Sequence, residues 1–129
     1  MRALRRLFTE RRVTFRGRYV HFEEVECFPK PLQSPLPIYA GGNHPEVRRR
    51  AGELGEGWLP AVLSPEEIAK GVEDVHRAAE QAGRDGSKID IAPQFAVSIG
   101  RTQEEALKRF RGSPLYKHME SLKPTTLRD

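Results

Sequence analysis

The sequence predicts an α/β fold built on a parallel sheet, and three observations carry that prediction. Residues 35–60 read as a short buried strand, a Gly-Gly turn and a helix, with a second strand beginning near Trp58. Residues 64–83 then place apolar side chains at helical spacing. Finally, Ile89, Ile91, Phe95, Val97 and Ile99 share one parity, the period of two that a strand face requires. Strands that alternate with helices pair in parallel, because each helix returns the chain to the same end of the sheet.

Taken in order, residues 2–12 form a basic amphipathic helix with Leu4, Leu7 and Phe8 on one side. Val13-Thr14-Phe15 and Tyr19-Val20-His21-Phe22 flank Arg16-Gly17-Arg18, the pattern of a hairpin. Pro29, Pro31, Pro35 and Pro37 exclude helix and central strand over 28–37, which leaves an extended connector. The first strand runs from Leu36 to Ala40. After Gly41-Gly42, Asn43 can cap a helix with Glu46 three residues on, and Pro45 suits the first turn, where a missing N–H costs nothing. This helix stops before Gly55, and Glu56 to Ala61 is the second strand. Ser64-Pro65-Glu66-Glu67 combines an N-cap, a first-turn proline and a capping-box glutamate. Ile68, Val72, Val75 and Ala79 follow until the helix ends near Gly83. Pro93 interrupts the run 89–99, so a bulge or a split is expected there. Thr102 opens a further capped helix through about Phe110, and from Gly112 onward the pattern fits helix, loop and frayed end alike. The domain plan is therefore helix and hairpin (1–28), connector (29–37), βα units (38–111) and a tail of undetermined form (112–129).

The chain has 129 residues, 22 of them basic and 18 acidic, for a net charge of +4. Arg2, Arg5, Arg6, Arg11, Arg12, Arg16 and Arg18 crowd the N-terminus, and Arg48, Arg49 and Arg50 form a second cluster. A nucleic-acid surface would carry interleaved aromatic residues; here Glu23, Glu24 and Glu26 follow instead, which favours a solvated charged face. Cys27 stands alone, so neither a disulfide framework nor a thiolate metal cluster is expected, and His21, His44, His76 and His118 lack metal-ligand spacing. No apolar run reaches a membrane span and no signal-peptide core precedes the fold, so the cytoplasm is the expected location.

The strand–Gly-Gly–helix turn carries the functional expectation. Glycines let backbone approach an anion closely, and the first helical N–H groups favour negative charge. Gly41, Gly42, Asn43 and His44 are the candidate phosphate cradle, acting mainly through backbone N–H. His44 can add charge to a phosphate or simply occupy the helix start. Trp58 reads as a core aromatic. Leu59, Pro60 and Ala61 run toward the same rim and are weaker candidates for lining a pocket. Glu56, between two glycines, reads as a capping or surface carboxylate.

FRGRYVHF (15–22), PKPLQSPLPIYAGG (29–42) and RAGELGEGWLP (50–60), in this order and at this spacing, resemble the luciferase-like monooxygenase superfamily. The resemblance covers about residues 1–110. Glu56 stands where the family usually has aspartate, Gly52 replaces the second alanine of the helix, and Leu36-Pro37 replaces Pro-Pro. It implies a partial (β/α)8 barrel of about three to four βα units, with an N-terminal helix and a β-hairpin insertion. A full barrel needs about 250 residues, so strands before residue 1 and one or two after Asp129 are expected elsewhere. The resemblance further implies coenzyme F420 as cofactor, with FMN as the alternative, and its phosphate on residues 41–44. Arg50 would pair with Glu53 or Glu56, or lie near the cofactor's negative tail. It implies hydride transfer to or from a small organic substrate; no catalytic base is identifiable, since the early strands supply that region. The alternative outside this class is a non-catalytic half-barrel or basic interaction module. Its open sheet edges lead us to expect a homodimer.

Overall fold

The computed structural model describes residues 1–121. Helix α1 spans Arg2–Thr9, three residues shorter than the sequence pattern suggests. It stops because Lys30, on the connector, donates through Nζ to the carbonyls of Leu7 (2.6 Å) and Glu10 (2.5 Å) and satisfies the end of the helix. Strands β1 (Val13–Arg16) and β2 (His21–Val25) then form the antiparallel hairpin, stacking Phe15 on Phe22 at 5.9 Å. Its turn covers residues 17–20 rather than 16–18, closed by Gly17 N–H donating to Val20 O at 2.9 Å. Part of the N-terminal arginine cluster pairs across this hairpin, Arg16 with Glu23 and Arg12 with Glu24 and Glu26, while Arg6 pairs with Glu10. Most of the cluster is thus engaged in ion pairs with acidic residues nearby, whereas Arg18 lies over the Tyr19 ring.

The connector delivers the chain to a parallel sheet of order β3-β4-β5, with β3 at Tyr39–Gly41, β4 at Gly57–Leu59 and β5 at Asp90–Ile91. All three are shorter than expected. Leu36–Ile38 lie outside the first strand, and the second regains only an isolated bridge at Ala61, to Gln94. Helix α2 (Pro45–Leu54) joins β3 to β4, and α3 (Pro65–Gln81) joins β4 to β5 through a 3-10 turn at Gly86–Lys88. The α3 capping box forms as written: Ser64 Oγ accepts from Glu67 N–H (3.2 Å), and Glu67 accepts from Ser64 N–H (3.0 Å). Helices α4 (Gln103–Arg111, capped by Thr102) and α5 (Pro114–Ser121) complete the described chain. Residues 122–129 of the expected tail lie outside the described residues.

Register sets the two faces of the sheet. Ala40, Trp58 and Ile91 are paired neighbours and turn toward α2 and α3, where Ala51, Trp58, Val75, Ala79 and Ile89 form the core. The helices meet closely because α2 carries Gly52: a Cβ there would run into Val75 O, Ala78 Cβ (2.7 Å) and Ala79 N (2.8 Å). Gly71 of α3 likewise makes room for the Trp58 ring, 2.6 Å from where a Cβ would reach Cζ3. Tyr39, Gly57 and Asp90 point the other way, with the Tyr39 ring over Gly57 and its hydroxyl bonded to the Asp90 carboxylate, which pushes the phenol pKa up. No described helix covers this second face, and Tyr39 is 40% exposed. One covered face and one bare face is what a segment of a barrel wall presents.

The run 89–99 is interrupted at Pro93, as expected, but beyond it no second strand segment forms. Ile89 is buried, but Phe95, Val97 and Ile99 are 62%, 78% and 79% exposed and outside any strand. β5 is the sheet edge, and beyond the Gln94 bridge the described chain offers no strand for these residues to pair with.

Candidate functional site

The candidate site is the turn leaving β3 at the C-terminal edge of the sheet, the edge at which open and closed α/β sheets bind ligands. Gly42 has φ +120°, which L side chains rarely adopt, so glycine is required there by backbone conformation. Gly41 is required by neither φ nor packing: an added Cβ would meet only Leu59 Cδ2, at 4.0 Å. The space outside Gly41 is open.

Hydrogen bonds tie this turn to β4. Gly42 N–H donates to Leu59 O at 3.0 Å, and the Trp58 indole Nε1–H donates to Gly42 O at 2.8 Å. Asn43 is not the helix cap that the sequence suggests. Its side chain instead grips the backbone of Ala61, accepting from N–H at 3.0 Å and donating to O at 2.8 Å. The cap is His44, whose Nδ1 accepts from Glu46 N–H (3.2 Å) while its carbonyl accepts from Val47 N–H (2.8 Å). Pro45 has no N–H to satisfy. This leaves the backbone N–H groups of Asn43 and His44 as donors with no partner among the described residues. The Glu46 carboxylate, in the first turn of α2, is held below its ordinary pKa chiefly by hydrogen bonds from Arg49.

Trp58 is fully buried and belongs to the core. Pro60 is also fully buried, while Leu59 and Ala61 are half-buried. Glu56 lies at the opposite end of β4, where its carboxylate accepts from Ile38 N–H (2.8 Å), pairs with Arg5 and lies 3.9 Å from Arg84. The expected pairing of Arg50 with Glu53 or Glu56 is not made: Arg49 takes Glu53 at 2.6 Å, and Arg5 takes Glu56. Sequence reasoning missed the Trp58–Gly42 bond, the Asn43–Ala61 grip and the left-handed conformation of Val62 (φ 54°) at the same rim. Each depends on how β3 registers against β4, and no local spacing encodes that. Among the described residues no acidic, His or Cys group could hold a metal, and no helix is long and apolar enough to cross a membrane.

Parallel strands, helices on one face and a glycine turn at the strand ends are the architecture of a segment of a (β/α)8-barrel wall. Residues 1–126 match the luciferase-like monooxygenase family, and the chain belongs to it. An F420-dependent glucose-6-phosphate dehydrogenase of Intrasporangium calvum is 39% identical over 110 residues, 84% of this chain and 33% of that protein. Among solved structures, an F420-dependent secondary alcohol dehydrogenase in complex with an F420–acetone adduct superposes with a TM-score of 0.80 at 22% identity, over 99% of this chain and 38% of that one. The monooxygenase RslO1 from Streptomyces bottropensis gives 0.66 at 25% identity, over 84% and 34%. The chain spans about a third of the length of the curated relatives it matches.

Proposed function

We propose that this chain supplies the phosphate-binding part of an oxidoreductase that moves a hydride between reduced coenzyme F420 and a small organic substrate. The observation that carries the reading is the pair of unclaimed N–H donors at Asn43 and His44, beside the open space at Gly41. That chemistry fits a phosphate: two backbone donors, a glycine without a side chain to intrude, and the positive end of the α2 dipole. F420 in the names of relatives such as the glucose-6-phosphate dehydrogenase favours the deazaflavin over FMN. When bound, the cofactor supplies the hydride chemistry, and the protein supplies binding and orientation. Gly41 and Gly42 let the backbone approach, Asn43 and His44 donate to the anion, and the β4 rim at Leu59 and Ala61 borders the site. A second reading, a monooxygenase, is favoured by the RslO1 likeness; with FMN as its cofactor it would use the same turn, since the turn recognises phosphate and not the ring. Titrating the full gene product with F420 and with FMN, followed by fluorescence, separates the two; binding of neither contradicts both.

A further inference from the structure

We propose that Trp58 and Asn43 are positioning residues that aim the phosphate-binding N–H groups, an inference that rests on reading residues 41–44 as the cofactor's phosphate cradle. Two consecutive glycines make a loose turn, because neither backbone has a Cβ to restrict it. A loose turn would have to be ordered at the moment of binding, and ordering costs affinity. Here the order is present beforehand. The Gly42–Asn43 peptide is trans, so its carbonyl and its N–H point in opposite directions. The Trp58 indole N–H holds that carbonyl toward the core at 2.8 Å. The Asn43 N–H is thereby turned away from the core, toward the open side of the turn. The Asn43 side chain, fixed at both its oxygen and its nitrogen on Ala61, anchors the next Cα and with it the His44 N–H. A tryptophan in the core thus sets the direction of a donor at the surface, and the β4 rim and the phosphate turn move as one piece.

The test uses the full gene product that contains this chain. It compares dissociation constants for the phosphate-bearing deazaflavin and for the same ring system without its phosphate (FMN and riboflavin if the ring is a flavin). The variants are Trp58→Phe, which keeps an aromatic ring and removes the N–H, and Asn43→Ala. The unaltered protein should prefer the phosphate-bearing form by about tenfold or more, and each variant should shrink that preference at least about fivefold while affinity for the phosphate-free ring stays within about twofold. A role confined to packing would lower both affinities together and leave their ratio intact, which overturns the proposal. Should Trp58→Phe fail to fold, Asn43→Ala, at a half-buried rim position outside the core cluster, decides it alone. A wild-type protein without preference for the phosphate-bearing form overturns the cradle reading and this inference with it.

Discussion

Gly41 and Gly42 are adjacent, yet different physics selects glycine at each. At Gly42 the backbone demands it, so Gly42→Val would strain the turn by about 1–2 kcal/mol whether or not a ligand binds. At Gly41 only a ligand would object to a Cβ. Gly41→Ala should therefore leave cofactor-free stability within about 0.5 kcal/mol. It should also weaken the phosphate-bearing cofactor about tenfold or more, about 1.4 kcal/mol. Thermal denaturation and calorimetric titration of the same variant check both halves, and unchanged affinity would make the turn structural. Trp58→Ala should cost about 3–5 kcal/mol as a core truncation, measured by denaturant unfolding. The residue types of this site were legible in the sequence; their division of labour was not. Asn43 and His44 were both read as donors at a helix start, but only the register of β3 on β4 shows that Asn43 grips Ala61 and His44 does the capping.

Helices were easier to read than strands because their signals are local. The Ser64 and Thr102 caps lie within three residues of what they bind, and both formed where the sequence placed them. Strands of two or three residues owe their existence to a neighbour far along the chain, so the run 89–99, expected to bulge or split at Pro93, yields only Asp90–Ile91. The α2–α3 contact shows which effect wins when local and tertiary preferences conflict. Gly52→Ala should gain up to about 1 kcal/mol of helix propensity. It would also drive a methyl into Val75 O, Ala78 and Ala79, which are backbone and packed core rather than flexible side chain ends. Overpacking of that kind costs about 1–3 kcal/mol, so net destabilisation is expected in thermal unfolding. Glu10, Glu46 and Asp85 have pKa values lowered chiefly by hydrogen bonds from Arg6, Arg49 and Ser87 respectively. A depressed folded-state pKa gives stability that is present above the ordinary carboxylate range and lost as pH falls through it. Stability measured against pH should decline on the acid side, and Glu46→Gln should flatten that decline slightly, since the pair is exposed.

As a whole, the molecule has one sheet face closed by α2 and α3, while Tyr39, Asp90 and the exposed apolar Phe95, Val97 and Ile99 lie elsewhere. Such a surface, together with unpaired strand edges, favours association. The 129-residue chain on its own is expected to sediment as a dimer or larger, and a cooperative monomer would contradict that. The barrel context was legible only through the ordered words from FRGRYVHF to GEGWLP, because composition and periodicity specify a parallel sheet without saying how far it continues. If the turn at residues 41–44 holds the phosphate of F420, its backbone amides report the contact themselves. In amide NMR spectra of the full gene product titrated with F420, the Asn43 and His44 N–H resonances should shift most strongly, with a dissociation constant tighter than that for FMN. Saturating F420 that leaves both amides unmoved would mean that the turn does not hold the phosphate.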